Sequence, residues 1–94
     1  IYDNTASSVK LRLASELLRL GQLSEALALT QEVVREKPDD VQGLMLMAAL
    51  YSSLKLYPKA IDYYQRVLSL KPGEEDATLY LGALYAETKQ YDKA

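Results

Sequence analysis

A repeat of 34 residues constrains the fold of this chain more than any other feature of its sequence. Three stretches align at that offset: LGQLSEA at 20–26, LKLYPKA at 54–60 and TKQYDKA at 88–94. These stretches end on the aligned alanines Ala26, Ala60 and Ala94. The same offset brings two further series into register: the prolines Pro38 and Pro72, and the small residues Ala14, Ala48 and Gly82. Several independent series at one period indicate a repeat protein, in which each unit is one supersecondary element.

Within each unit the apolar residues have the spacing of an amphipathic helix. Val9, Leu13, Leu17 and Leu20 recur at steps of three and four, and the later units carry matching stripes. Proline disfavours helix in the residue before it, so the prolines end the second helix of each unit. The pattern predicts helices near 6–20, 24–36, 41–54, 58–70 and 75–88, a break at Gln90-Tyr91, and a sixth helix from about residue 92.

The marker residues of the period resemble those of the tetratricopeptide repeat family. That family has a small residue and then a large one in the first helix, an alanine in the second helix, and a proline after it. The small residues here are Ala14, Ala48 and Gly82, and the large ones are Leu17, Tyr51 and Tyr85. Tyr64 matches an aromatic position of the second helix, whereas Thr30 stands at that position in the first repeat.

The resemblance implies an all-α fold, a right-handed α-solenoid of stacked antiparallel helical hairpins with about two and a half repeats. We expect one domain over 1–94, with repeat 1 at 7–40, repeat 2 at 41–74 and a partial repeat 3 at 75–94. One hairpin cannot cover its own apolar face, so repeats of this kind stack. Because the third repeat holds one complete helix, we expect the chain to be a fragment of a longer array.

The resemblance also implies a concave groove, lined by the first helix of each repeat, that binds a partner protein or peptide. The residues expected there are Leu11, Ser15, Leu18, Met45, Ala49, Ser52, Leu79 and Ala83, with Tyr80 beside them. Leu11, Met45 and Leu79 would form an apolar strip for a peptide or an amphipathic helix. The alternative is that these three side chains pack against neighbouring helices, as most apolar stripes do.

Some members of the family hold a C-terminal carboxylate with Lys, Asn and Arg side chains in the groove. The corresponding residues here are Leu11, Ser15, Leu46, Asp76 and Tyr80. No basic clamp remains, and Asp76 would repel a carboxylate, so we do not expect an acidic tail as the ligand.

A second hypothesis is self-association through the C-terminal end. Leu81, Leu84 and Tyr85 belong to a first helix whose hairpin partner has only begun when the chain ends. An open repeat end exposes an apolar face that a second copy can cover. This hypothesis predicts a homo-oligomer.

The composition argues against other classes of function. The net charge of -2 is unlike the basic surface of a nucleic-acid-binding protein, and the longest apolar run, 44–51, is too short to insert in a membrane. The sequence has no histidine or cysteine, which removes the commonest general base and thiolate metal ligands. The S-x-x-K pattern at 7–10 and 52–55 has no companion motif, and the acidic run 74–76 fits a helix start. We therefore expect no catalytic residue, no metal and no cofactor.

Overall fold

The computed structural model describes the backbone of residues 6–92 and the side chains of residues 6–88. Within that range the chain forms helices joined by short turns and has no strand. In chain order the helices are α1 (Ala6–Arg19), α2 (Leu23–Glu36), α3 (Val41–Ser53), α4 (Tyr57–Leu70) and α5 (Glu75–Asp92). The predicted all-α helical repeat fold is confirmed.

The turns inside the first two hairpins have the same hydrogen-bonding pattern. In the α1–α2 turn, Gly21 has φ of 84° and the Gln22 N–H donates to the Leu17 carbonyl over 2.8 Å. In the α3–α4 turn, Lys55 has φ of 63° and the Leu56 N–H donates to the Tyr51 carbonyl, also over 2.8 Å. Both are Schellman motifs, in which a left-handed residue closes the helix and satisfies its last carbonyls.

The third repeat does not make this turn, and here the sequence prediction was wrong. The expected break at Gln90-Tyr91 is absent, because α5 continues through Asp92. The sixth helix expected from about residue 92 would occupy 93–94, which lie outside the described residues. The residue aligned with Gly21 and Lys55 is Lys89, and a left-handed lysine costs about 1 kcal/mol or more. In the second repeat the packing of α4 on α3 offsets that cost, whereas no described helix follows α5 to offset it.

The two links between hairpins begin with the prolines that the sequence marks. After α2, the Asp40 N–H donates to the Lys37 carbonyl over 3.1 Å, and the Asp40 side chain caps α3 by accepting from the Gln42 N–H. After α4, the Glu74 N–H makes the same bond to the Lys71 carbonyl over 3.0 Å. Asp40 is therefore the N-cap of α3, and aspartate is among the residues that helices favour at this position.

Small residues allow the helices to pack closely. Ala14 and Ala26 are fully buried between α1 and α2, and Ala48 and Ala60 are fully buried between α3 and α4. Between hairpins, a β-carbon on Gly43 of α3 would lie 3.3 Å from Cγ2 of Val34, so glycine permits the close approach of α2. These contacts place α1, α3 and α5 on one side of the stack, where they line a common groove.

The core continues from hairpin to hairpin. Its largest fully buried side chains are Leu44, Met47, Leu50, Val33, Val67 and Thr30. Thr30 replaces the aromatic of the other repeat, and its hydroxyl donates to the Ala26 carbonyl over 2.8 Å. The polar group is therefore satisfied inside the core, and the smaller side chain does not leave the buried oxygen without a partner.

Candidate functional site

A groove of about 790 Å³ runs across α1, α3 and α5. Its apolar lining includes Leu11 of α1, Met45 and Leu46 of α3, and Ala83 and Leu84 of α5. Hydroxyl and amide groups interrupt this surface, and three charged residues from the α4–α5 link and the start of α5 form one edge. A mostly apolar depression with a few polar groups is the usual chemistry of a binding site for an extended chain or a helix.

Seven of the nine residues expected in the groove line it. They are Leu11, Ser15, Met45, Ala49, Ser52, Tyr80 and Ala83. The structure thus brings together residues from three repeats that are far apart in the sequence. Their role in binding a partner stays a prediction.

Leu79 and Leu18 do not line the groove, so the expected strip of Leu11, Met45 and Leu79 is interrupted. Leu79 is 68% exposed, and Leu18 is half-buried against the core cluster around Ala14. Met45 and Leu79 occupy equivalent positions, but their surroundings differ. α5 forms a wall beside Met45, whereas no described element lies beyond α5 to form one beside Leu79.

The three residues expected on an open C-terminal face are not found together on such a face. Leu81 and Leu84 are only 9% and 8% exposed, because they pack into the core with α3 and α4. Tyr85 is 41% exposed, and its hydroxyl is 2.7 Å from Nε2 of Gln65, which donates to it. The expectation that Leu81 and Leu84 are open to a second copy was therefore wrong.

The open face of α5 is formed by other residues. Leu79, Gly82 and Ala86 are exposed, and a β-carbon built on Gly82 would meet no atom within 4 Å. The aligned residues Ala14 and Ala48 are fully buried against the second helix of their own hairpins. The sequence already indicates this face, because Gly82 aligns with the buried Ala14 and Ala48. The sequence prediction instead followed the apolar residues Leu81, Leu84 and Tyr85.

The sequence prediction placed Asp76 in the groove but missed the ion pair beside it. Nζ of Lys71 lies 3.2 Å from Oε1 of Glu74, so these two groove residues form an ion pair. Asp76, in the first turn of α5, also lines the groove and has no cation within salt-bridge distance among the described residues. The link between repeats approaches the groove only when the hairpins stack, so no local pattern reveals the ion pair there.

All five positions that form the carboxylate clamp in some family members line the same groove. They carry Leu11, Ser15, Leu46, Asp76 and Tyr80, and none is a cation. The one lysine of the lining, Lys71, is already paired with Glu74. The groove therefore lies where other family members bind a carboxylate, but its charges do not suit a carboxylate ligand.

Two tyrosines form the aromatic part of the groove. The ring centroids of Tyr64 and Tyr80 are 5.6 Å apart with an angle of 33° between the planes. Tyr64 is buried in the core, and Tyr80 is 46% exposed. Burial, with a smaller contribution from Tyr80, raises the pKa of the Tyr64 hydroxyl to about 12. Tyr64 thus supports Tyr80 as a neutral, rigid neighbour.

The residues of the S-x-x-K patterns are occupied elsewhere. Nζ of Lys10 lies 3.0 Å from Oε1 of Glu32, and this hydrogen bond and charge raise the pKa of Lys10, which opposes a role as a base. Lys55 lies outside α3 in the left-handed turn, so it does not share a helical turn with Ser52. Over the residues that the structure describes, no cluster of acidic side chains has the geometry of a metal site. No helix in that range is long and apolar enough to cross a membrane.

Helical hairpins that repeat every 34 residues and share a groove define an α-helical repeat protein of the solenoid class. The sequence profile described as "Tetratricopeptide repeat" matches residues 11–75 and 57–94, which together cover most of the chain. The chain belongs to the tetratricopeptide repeat family. No match is found among curated proteins.

Solved structures show the same fold. MamA residues 41-end from Desulfovibrio magneticus RS-1 matches with 28% identity and a TM-score of 0.82, over 92% of this chain and 49% of MamA. A tetratricopeptide repeat protein from Parabacteroides merdae ATCC 43184 matches with 25% identity and a TM-score of 0.84, over 95% of this chain and 35% of that protein. This chain therefore spans about half or less of the length of these relatives.

Proposed function

We propose that this chain is a non-catalytic interaction module that binds a peptide or a helix of a partner protein in the groove. The observation that supports it is the apolar lining contributed by α1, α3 and α5 together, which includes Leu11 and Met45. Helices are rigid, so the groove is formed before a ligand arrives, which limits the entropy lost on binding. Membership of the family is in keeping with this role, since its repeats commonly serve in protein-protein interaction.

The polar groups of the groove favour binding over chemistry. Ser15 and Ser52 supply hydroxyl groups, but the sequence has no histidine to activate them, and Lys71 is held by Glu74. A protein partner also suits the chain better than a nucleic acid, because the net charge is -2 and the free charge at the groove edge is negative. Ligand recognition thus depends mainly on apolar contact with a few orienting hydrogen bonds.

Substitution at equivalent positions of two repeats tests the groove. Met45 lines it and Leu79 does not, so Met45→Asp places a charge at the contact while Leu79→Asp places the same charge outside it. The ligands are 12-residue peptides selected on the wild-type protein from a random displayed library, and fluorescence anisotropy measures their affinity. We expect Met45→Asp to weaken binding by at least about tenfold, the equivalent of 1.4 kcal/mol, and Leu79→Asp to change it less than about twofold.

Circular dichroism of both variants verifies that they remain folded. Equal affinity of the wild type and a folded Met45→Asp variant would contradict groove binding. A large loss with Leu79→Asp and none with Met45→Asp would place the ligand on the outer face of α5 instead.

Self-association is the second candidate, and the exposure of Leu79 and the open surface at Gly82 favour it. We infer that a second copy covers this outer face of α5, without a need for Leu81 or Leu84 at the surface. Light scattering over a concentration series measures the mass, which we expect to rise with concentration for the wild type and for Met45→Asp. Leu79→Asp should remain a monomer, and a wild type that stays monomeric at the highest concentration would refute the hypothesis.

A further inference from the structure

The α5 end of the groove carries a negative charge that no described side chain neutralises. Of the three charged residues in the lining, Lys71 and Glu74 pair with each other over 3.2 Å. Asp76 has no such partner in the described part of the chain and is exposed. It lies in the first turn of α5, where a negative charge interacts favourably with the helix dipole.

An exposed aromatic ring lies one helical turn from this carboxylate. Asp76 and Tyr80 are four residues apart on α5, so they share a face, and both line the groove. Tyr80 is 46% exposed, and its ring packs at 5.6 Å on Tyr64, which is buried and holds it in place. The ring and the carboxylate therefore face the same end of the groove.

Other tyrosines of this chain already hold cations. Cζ of Arg66 lies 4.9 Å from the ring centroid of Tyr63, and Nζ of Lys59 lies 5.6 Å from that of Tyr51. In the described range no lysine or arginine covers Tyr80 in this way. A carboxylate beside an exposed ring attracts a cation by charge and by the negative face of the ring, and arginine suits both because its planar group stacks.

We propose that the groove selects peptides that place an arginine or lysine side chain between Asp76 and Tyr80, with an apolar side chain against Leu11 and Met45. This inference rests on the proposed groove function and adds the chemistry of the ligand. A cation is complementary to Asp76, whereas a carboxylate would be repelled by it. Arg12, which lines a depression next to the groove with Leu11, belongs to α1, and α3 separates it from this end.

Peptide selection tests the preference directly. A random 12-residue displayed library is selected in parallel on the wild type and on Asp76→Asn. We expect arginine and lysine to be enriched at one position of the wild-type peptides relative to the input library, and not in the Asp76→Asn pool. Equal enrichment in the two pools, or none in either, would overturn the inference.

Binding constants then separate the cation from the rest of the peptide. In a selected peptide, the enriched arginine is replaced by citrulline, which keeps the shape and removes the charge. An exposed charge pair contributes up to about 1 kcal/mol, so we expect citrulline to weaken binding to the wild type by about three- to fivefold. Citrulline should weaken binding to Asp76→Asn less than to the wild type, because only the Tyr80 ring then remains to attract the cation.

Matched variants test whether a general electrostatic effect, or the hydroxyl group of Tyr80, could account for the loss of affinity. Glu75→Gln removes the same charge from the same turn of α5, but Glu75 does not line the groove, so affinity should change less than about 1.5-fold. Tyr80→Leu should weaken binding by about two- to fivefold, while Tyr80→Phe, which keeps the ring, should not. An effect of Glu75→Gln as large as that of Asp76→Asn, or equal binding of the arginine and citrulline peptides, would refute the cation site.

The groove function and the cation site can be refuted separately. If selected peptides lose affinity with Met45→Asp but do not distinguish arginine from citrulline, the groove function stands and the cation site is wrong. If Met45→Asp has no effect on any selected peptide, the groove function itself is wrong.

Discussion

The left-handed turn between α3 and α4 offers a quantitative test of how this fold stores strain. Lys55 and Gly21 occupy the same position of two Schellman motifs, with φ of 63° and 84°, and a side chain is unfavourable in this region. Exchanging the residue types, with Lys55→Gly in one variant and Gly21→Lys in another, should therefore change stability in opposite directions. We expect Lys55→Gly to stabilise the protein.

Two opposing terms give the size of the effect. Relief of the left-handed conformation contributes about 1–2 kcal/mol. Glycine also increases the freedom of the unfolded chain, which costs about 0.4–1 kcal/mol. The net gain for Lys55→Gly is about 0.5–1 kcal/mol, with a loss of similar size for Gly21→Lys. In a domain of this size 1 kcal/mol corresponds to about 4–8 °C in the unfolding midpoint.

Thermal and urea unfolding followed by circular dichroism measure both variants. Lys55→Ala is the control, since alanine removes the long side chain but keeps the β-carbon that causes the strain. We expect no stabilisation from Lys55→Ala. If Lys55→Ala stabilises as much as Lys55→Gly, the lysine side chain rather than the backbone is the source of the effect. If Gly21→Lys leaves the midpoint unchanged, the turn is not strained and the reasoning fails.

Two further results are expected from the core. Leu44→Ala should lower the free energy of unfolding by about 2–5 kcal/mol because Leu44 is 1% exposed, whereas Leu56→Ala, in an exposed turn, should cost well under 1 kcal/mol in the same urea titrations. The pKa of Tyr64 is raised to about 12 in the fold, so its contribution is fully present below pH 10 and should be lost between pH 10 and 12, by roughly 2 kcal/mol. Unfolding measured against pH should show this loss in the wild type and a flatter profile in Tyr64→Phe.

Most of the fold follows from local pattern. The 34-residue period, the stripes on each helix and the prolines predict the hairpins, and the helix bounds of α1 to α4 agree with the prediction to within about one residue. The aligned alanines also identify the crossing points, because only small residues let two helices approach closely. The period predicts these elements because equivalent residues make the same helix-packing contacts in each hairpin.

The sequence prediction fails at α5, the last described helix, because the neighbours of equivalent residues change there. Met45 and Leu79 are equivalent in the sequence, but α5 makes a groove wall beside Met45, and no described helix does so for Leu79. Leu81 and Leu84 are buried by α3 and α4, so the residue opened at the end is Gly82. A repeat pattern treats equivalent positions alike, whereas burial depends on which helix lies next to them.

The sequence by itself thus determined the repeat unit, the hairpins and seven of the nine expected groove residues, because these depend on contacts that recur in every repeat. Only the tertiary structure decided where α5 stops being covered, and only stacking brought the Lys71–Glu74 pair to the groove edge. Those arrangements arise between hairpins and at the end of the described stack. These arrangements depend on contacts with neighbouring helices that no single repeat contains.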